Sequence, residues 1–195
     1  MKRTDKEEKR LRVLAAAREI FEETGKIDIG LRAIAARTNQ TTGAIYNHFK
    51  GKDEILAALL EQSLNRLFER VSKAAQKYPD DPKIALKASA TAFFEHYREN
   101  PFEQKLGLYQ FEGAPDTDLG KSADSHLNME LSKTVNVFEE QYFFLSNDRS
   151  TAANKSAALF SALIGVSIIA TLHRDRSLGT TANKILDTTI EFFIN

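Results

Sequence analysis

The sequence contains no cysteine, so disulfides and thiolate metal sites are excluded. Its four histidines are His48, His96, His126 and His173. None falls in a His-x-x-x-His or His-Glu-x-x-His spacing, and no metal is expected. His96, between Glu95 and Glu99, reads as a surface residue. A Gly-rich phosphate loop and a nucleophile elbow are both missing, so neither an enzyme nor a cofactor is expected. No apolar run approaches the roughly eighteen residues of a membrane helix. The longest tendency, Ala157 to Leu172, is interrupted by serines and Gly165. The charged start MKRTDKEEKR has no apolar segment after it, so no secretory signal is expected and the cytoplasm is the default location. Strand-like alternation, internal repeats and low-complexity segments are also lacking.

What is present is helical periodicity in 195 residues, 42% apolar and 28% charged, values ordinary for a globular chain. The formal net charge of zero averages two unlike parts. Residues 1–52 carry 12 Lys or Arg against 7 Asp or Glu, a net of +5, and residues 53–195 carry 15 against 20, a net of −5. A basic first quarter is what attraction to phosphate requires.

The chain divides by its own punctuation into an all-α protein of about nine helices. Residues 5–24 form the first, with Val13, Leu14, Ala17, Ile20 and Phe21 on one stripe and Gly25 as its stop. Lys2, Arg3 and Lys6 at its start could reach a phosphate or the minor groove, or simply be solvated. A long helix runs from Lys52 to Tyr78, ended by Pro79, with Leu56, Leu60, Leu64, Leu67 and Val71 on its buried face. Asp81-Pro82 and Asn100-Pro101 each supply a cap followed by proline at the first helical position. These open helices to about Glu99 and to Phe111. The segment EGAPDTD, 112–118, reads as a loop. Helices over 119–145, 151–173 and 180–193 complete the chain.

The most informative stretch is 28–56, DIGLRAIAARTNQTTGAIYNHFKGKDEIL. Leu31, Ile34 and Ala35 mark a short amphipathic helix over 28–37, and Thr38-Asn39-Gln40 break it. Asn39 tolerates the left-handed conformation of a tight turn. Thr41 caps a second helix whose buried side carries Ile45 and Phe49. Its other face, Thr42, Gly43, Ala44, Tyr46, Asn47 and His48, is small or polar and carries no carboxylate. Two short helices, a three-residue turn and an uncharged hydrogen-bonding face make a helix-turn-helix.

Ile34-Ala35, Thr41, Gly43, Ile45, Tyr46, His48, Phe49, Lys52 and Asp53-Glu54-Ile55-Leu56 together resemble the DNA-binding signature of the tetracycline-repressor (TetR) family. The departure is at the turn, where Thr38-Asn39-Gln40 stands in place of the family's small residue, Gly and Val. The resemblance implies a three-helix DNA-binding domain, 1–52, and a helical effector-binding and dimerisation domain, 53–195, linked by the helix 52–78. It also implies a homodimer on an inverted-repeat operator, acting as a ligand-responsive regulator, a repressor released by a small hydrophobic or planar effector. Thr42, Ala44 and Asn47 would meet base edges, and Thr41, Tyr46, His48 and Lys52 would hold phosphates.

The middle helices carry Phe93, Phe94, Tyr97, Phe102, Tyr109 and Phe138, with Tyr142 following and Phe160 beyond. By default such residues are core, and the resemblance adds an effector pocket among them, with Tyr97, Gln110, His126 and Tyr142 to orient the ligand. Ala157 to Leu172 is apolar nearly all round and should be buried on more than one side. By resemblance the last two helices pair with their symmetry mates through Phe160, Ile164, Ile168, Leu172, Ile185, Ile190 and Phe193. Two other readings share these residues. One is an effector-independent DNA-binding protein of the same fold, the other a helical small-molecule-binding protein or enzyme.

Overall fold

The structure is a computed structural model that describes residues 5–27, 30–111 and 121–194, without the side chains of 109–111 and 121–124. Nine α-helices and no strand occur among the described residues. They are α1 Asp5–Thr24, α2 Leu31–Arg37, α3 Thr42–Tyr46, α4 Lys52–Ala75, α5 Pro82–Glu99, α6 Pro101–Phe111, α7 Lys121–Ser146, α8 Arg149–Thr171 and α9 Ala182–Ile194, with a 3-10 turn Asp175–Leu178 before the last. The expected loop over 112–118 and the start of the helix expected from residue 28 lie outside the described residues.

Local chemistry sets these boundaries. Asp81 and Asp148 accept from backbone N–H groups in the first turns of α5 and α8. The free N–H groups of a helix start need such acceptors. Three helices end on a residue with φ of 53°, Asn39, Asn147 and His173. In each case the left-handed residue lets the chain reverse while closing backbone bonds onto the last turn, as glycine does elsewhere. Gln40 N–H donates to the Ala35 carbonyl at 2.9 Å, and Arg174 N–H to that of Ile169 at 2.9 Å.

The chain forms two compact units. One is Met1–Ser63 with Lys105–Leu127, the other Leu64–Gln104 with Asn128–Asn195. The helices α4, α6 and α7 therefore each contribute to both. In the first unit Val13, Ala17 and Phe21 of α1 are buried together with Ile34 of α2, Ile45 of α3, and Phe49. Arg37 at the end of α2 reaches back to Glu19 and Glu23 of α1, at 3.3 and 2.6 Å. These groups are exposed, so the packing beneath them holds the unit and the ion pairs add little. In the second unit Leu67 and Val71 of α4 join Leu86, Phe93 and Phe94 of α5, Phe138 of α7, Leu159 and Leu163 of α8, and Leu186 of α9 in one core.

The helix α8 is the exception to tidy burial. It is long and apolar enough by length and composition to cross a membrane, with a mean hydropathy of 1.5, yet only 33% of its most apolar window is buried. The expected burial on more than one side is thus incomplete within a single chain. The position of Gly165 is open: a Cβ built there would meet no atom within 4 Å.

Candidate nucleic-acid interface

The turn and cap on either side of Gln40 decide how α3 is presented. Asn39 takes the left-handed conformation its short polar side chain permits, and Thr38 hydroxyl donates to the Ile34 carbonyl at 3.0 Å. Thr41 then caps α3, its hydroxyl oxygen accepting from the Ala44 N–H at 3.1 Å. Ile45 and Phe49 point into the core at 0% and 1% exposure, which turns the opposite side of α3 outward. Arg10 lies over the Phe49 ring at 4.6 Å, closing α1 onto the same residue.

Against this face lies a groove of about 500 Å³ lined by Lys9 and Arg12 of α1, Thr38, Asn39 and Gln40 of the turn, and Ala44, Asn47 and His48. One wall is cationic, the other is small or uncharged and hydrogen-bonding, and no carboxylate lines it. Asn47 is exposed, as are Thr41, Gly43 and Tyr46, while Thr42, Ala44, His48 and Lys52 are half-buried. The Nδ1 atom of His48 is buried and has no hydrogen-bond partner. Folded proteins leave few buried polar atoms in that condition. At Gly43 a Cβ would meet only the Thr41 hydroxyl, at an ordinary 3.8 Å, so packing does not demand glycine there.

Lys9, Arg12 and Gln40 were not among the residues picked from the sequence. The two cations sit on a helix whose apolar stripe explains itself as core, and only the fold brings their side beside α3. At the same edge Lys9 is paired with Asp5 at 2.5 Å, and that bond holds the exposed Asp5 carboxyl below its usual range. Lys6 is exposed, and Lys2 and Arg3 lie outside the described residues.

The aromatic residues expected at an effector pocket fall mostly within the core of the second unit. Phe93 is its hub, with ring centroids at 5.1 Å from Tyr97, 6.4 Å from Phe138 and 5.6 Å from Phe160, all edge-on. Phe94 and Tyr142 are fully buried as well, and Phe102 half-buried. Burial pushes the Tyr97 and Tyr142 hydroxyls up, the latter to about 12. The Tyr142 hydroxyl donates to the Phe193 carbonyl at 3.1 Å. His126 belongs to the other unit, exposed and bonded to Glu61 at 3.1 Å. The side chains of Tyr109 and Gln110 lie outside the described residues. Of the helix faces expected to pair with a second copy, Leu172 is 60% exposed, Ile164, Ile168, Ile185 and Phe193 are half-buried, and Ile190 is buried in its own chain's core.

His96 corrects the sequence reading. It is 3% exposed, and its partner is Glu103 of α6 at 2.9 Å, not a glutamate of its own helix. Phe93 and Tyr97 carry the buried stripe of α5, and His96 shares their side, so it follows them inward. The second oxygen of Glu103 takes a fork from Arg66 of α4 at 2.6 and 3.1 Å. Nothing in the spacing of the chain pairs residues 37 apart. Among the described residues no cluster of three or more His, Asp or Glu is placed to hold a metal.

Known proteins agree with this geometry. The model of the bacterial regulatory proteins of the tetR family matches residues 13–59, from the middle of α1 into α4. The transcriptional activator FasR of Mycolicibacterium smegmatis is 26% identical over 85% of this chain and 72% of its own. Several other curated regulators are matched over only 25% to 40% of their own length. Among solved structures, a tetR-family regulatory protein from Rhodococcus RHA1 superposes with a TM-score of 0.71 at 21% identity, covering 95% of each chain. The regulator FadR of Bacillus subtilis, in complex with stearoyl-CoA, gives 0.70 at 15% identity, covering 95% of this chain and 97% of that one. These relatives are named as regulators. Over residues 13–59, its helix-turn-helix segment, the chain matches the bacterial regulatory proteins of the tetR family, and over nearly its whole length its fold is similar to that of solved regulators.

Proposed function

We infer that the protein is a homodimeric, ligand-responsive regulator, a repressor released from an inverted-repeat operator by a small hydrophobic effector. The groove between α1 and α3 carries the reading. Its uncharged wall can read base edges, with Asn47 bonding adenine and Ala44 and Thr42 touching neighbouring groups, while Lys9 and Arg12 opposite are suited to phosphates. Thr41, Tyr46, His48 and Lys52 join them as phosphate contacts. Bare backbone at Gly43 lets the start of α3 approach closely. The protein acts where the DNA is, in the cytoplasm, with no membrane partner.

A dimer is supported by the unfinished burial of α8, because an apolar helix with Phe160, Ile164 and Ile168 only half-buried within its own chain suits a partner. Gly165, open on its outer side, suits close approach by a second helix. Two helix-turn-helix units on a two-fold axis then read two half-sites. An effector-responsive role is supported by the aromatic core around Phe93 and by the stearoyl-CoA held by the B. subtilis neighbour. An effector that favours one of two states by about 1–3 kcal/mol would change DNA affinity roughly 5- to 150-fold, with α4 as the lever between the two domains. A second reading, an activator, is favoured by the name of the M. smegmatis relative.

Selection and footprinting of the purified protein on fragments of its own genome test the reading. Protection of an inverted repeat is the expected result, and transcription from that site with and without protein separates repressor from activator. Failure to select any site would overturn it.

A further inference from the structure

We propose that Gln104, Ser167 and Thr171 form the hydrogen-bonding end of the effector site, and that they take an uncharged carbonyl oxygen, as in an ester, thioester or amide, in preference to a free carboxylate. The proposal rests on the ligand-responsive reading and gives its ligand a chemical class.

Gln104 is 2% exposed. Its side-chain carbonyl accepts from the Thr171 hydroxyl, and its amide nitrogen, Nε2, has no partner. Thr171 stands one turn after Ser167 on α8, so the two side chains share a face. Ser167 is likewise 2% exposed, and its hydroxyl has no partner. A third unpartnered hydroxyl, that of Thr134, is fully buried on α7 one turn before Phe138. Native cores leave few such groups unsatisfied, because each costs the loss of its bond to water. Gln104 and Ser167, linked through Thr171, can both donate, and an acceptor supplied from outside the chain would satisfy them.

What surrounds them narrows the ligand. Two turns before Ser167, about 10 Å along α8, the same side carries Phe160, packed edge-on against Phe93. An apolar body along the aromatics would therefore bring its polar end to the donors. The charges beside Gln104 are already spent: Glu103, with a fully buried side chain, holds Arg66 on one oxygen and His96 on the other. A ligand carboxylate here would be a second buried anion with no cation of its own, a costly arrangement. A neutral carbonyl satisfies the same donors without that cost.

The test is calorimetric titration of the full-length protein with a medium-chain methyl ester, the free acid of the same length and the matching alkane. The ester is expected to bind about tenfold tighter than either of the others, the range of one hydrogen-bonded acceptor. Gln104→Leu and, as a smaller change that keeps the fold, Ser167→Ala should each bring the ester down to the level of the alkane and leave the alkane unaffected. Equal or tighter binding of the free acid, equal loss for all three probes, or no binding of the ester would overturn the proposal. Equal loss would mean the polar groups serve the fold, with water completing their bonds. Operator binding measured alongside keeps the two claims apart. A selected operator with no ester preference sinks this site alone, and ester preference without any operator sinks the regulator alone.

Discussion

Around α3 the hydrogen-bonding groups lie at the surface of a groove, with fully apolar side chains packed beneath them. In the second unit the order is reversed: Glu103, His96, Gln104 and Ser167 are buried. The first arrangement leaves its polar groups in water until a partner of regular shape arrives, so little is lost in waiting. The second has removed its polar groups from water already, and each must be answered inside the protein or by a ligand. A surface reader can tolerate substitution at its contacts without unfolding, whereas the buried network cannot lose one member without stranding another.

The comparison is broken most directly by truncating the aromatic under each region. Phe49→Ala and Phe93→Ala should each cost about 3–5 kcal/mol in denaturant unfolding, since both rings are fully buried. The first should abolish DNA binding together with the native amide signals of residues 31–49, and the second should leave those signals in place. Loss of both sets in both variants would show that the two regions are not separately folded. At the groove, Asn47→Ala should cost about 1–3 kcal/mol on the selected operator. Affinity for random DNA should change much less, and equal loss on both would remove Asn47 as a base reader.

Smaller effects sharpen the contrast. Thr41→Ala removes the acceptor of the Ala44 N–H and should lower stability by about 1 kcal/mol, read from the urea midpoint. Tyr142 supplies a pH signature for the buried side. Its hydroxyl is pushed up to about 12 by burial from an ordinary 10.0, so the folded chain holds this proton where the unfolded chain releases it. Its contribution is complete below pH 10 and is lost as pH rises from there through about 12. Tyr142→Phe should therefore flatten the fall in urea midpoint across that window, and an unchanged profile would discount Tyr142 as its source.

The sequence by itself determined the helices and the face of α3. Proline after a capping residue at 81–82 and 100–101, and apolar residues at spacings of three and four, are local signals that survive any packing. Asn39 was legible as the left-handed turn residue for the same reason, a preference of its own side chain and backbone. Burial of Ile45 and Phe49 then forces the remaining face of α3 outward. Tertiary structure alone decided what comes from a distance. It set Lys9 and Arg12 across from Asn47, carried His96 inward to Glu103 and Arg66, and left Gln104 and Ser167 without acceptors. These pairings join helices far apart in the chain, and periodicity tells only which side of a helix is buried, not which polar group from another helix will meet it there.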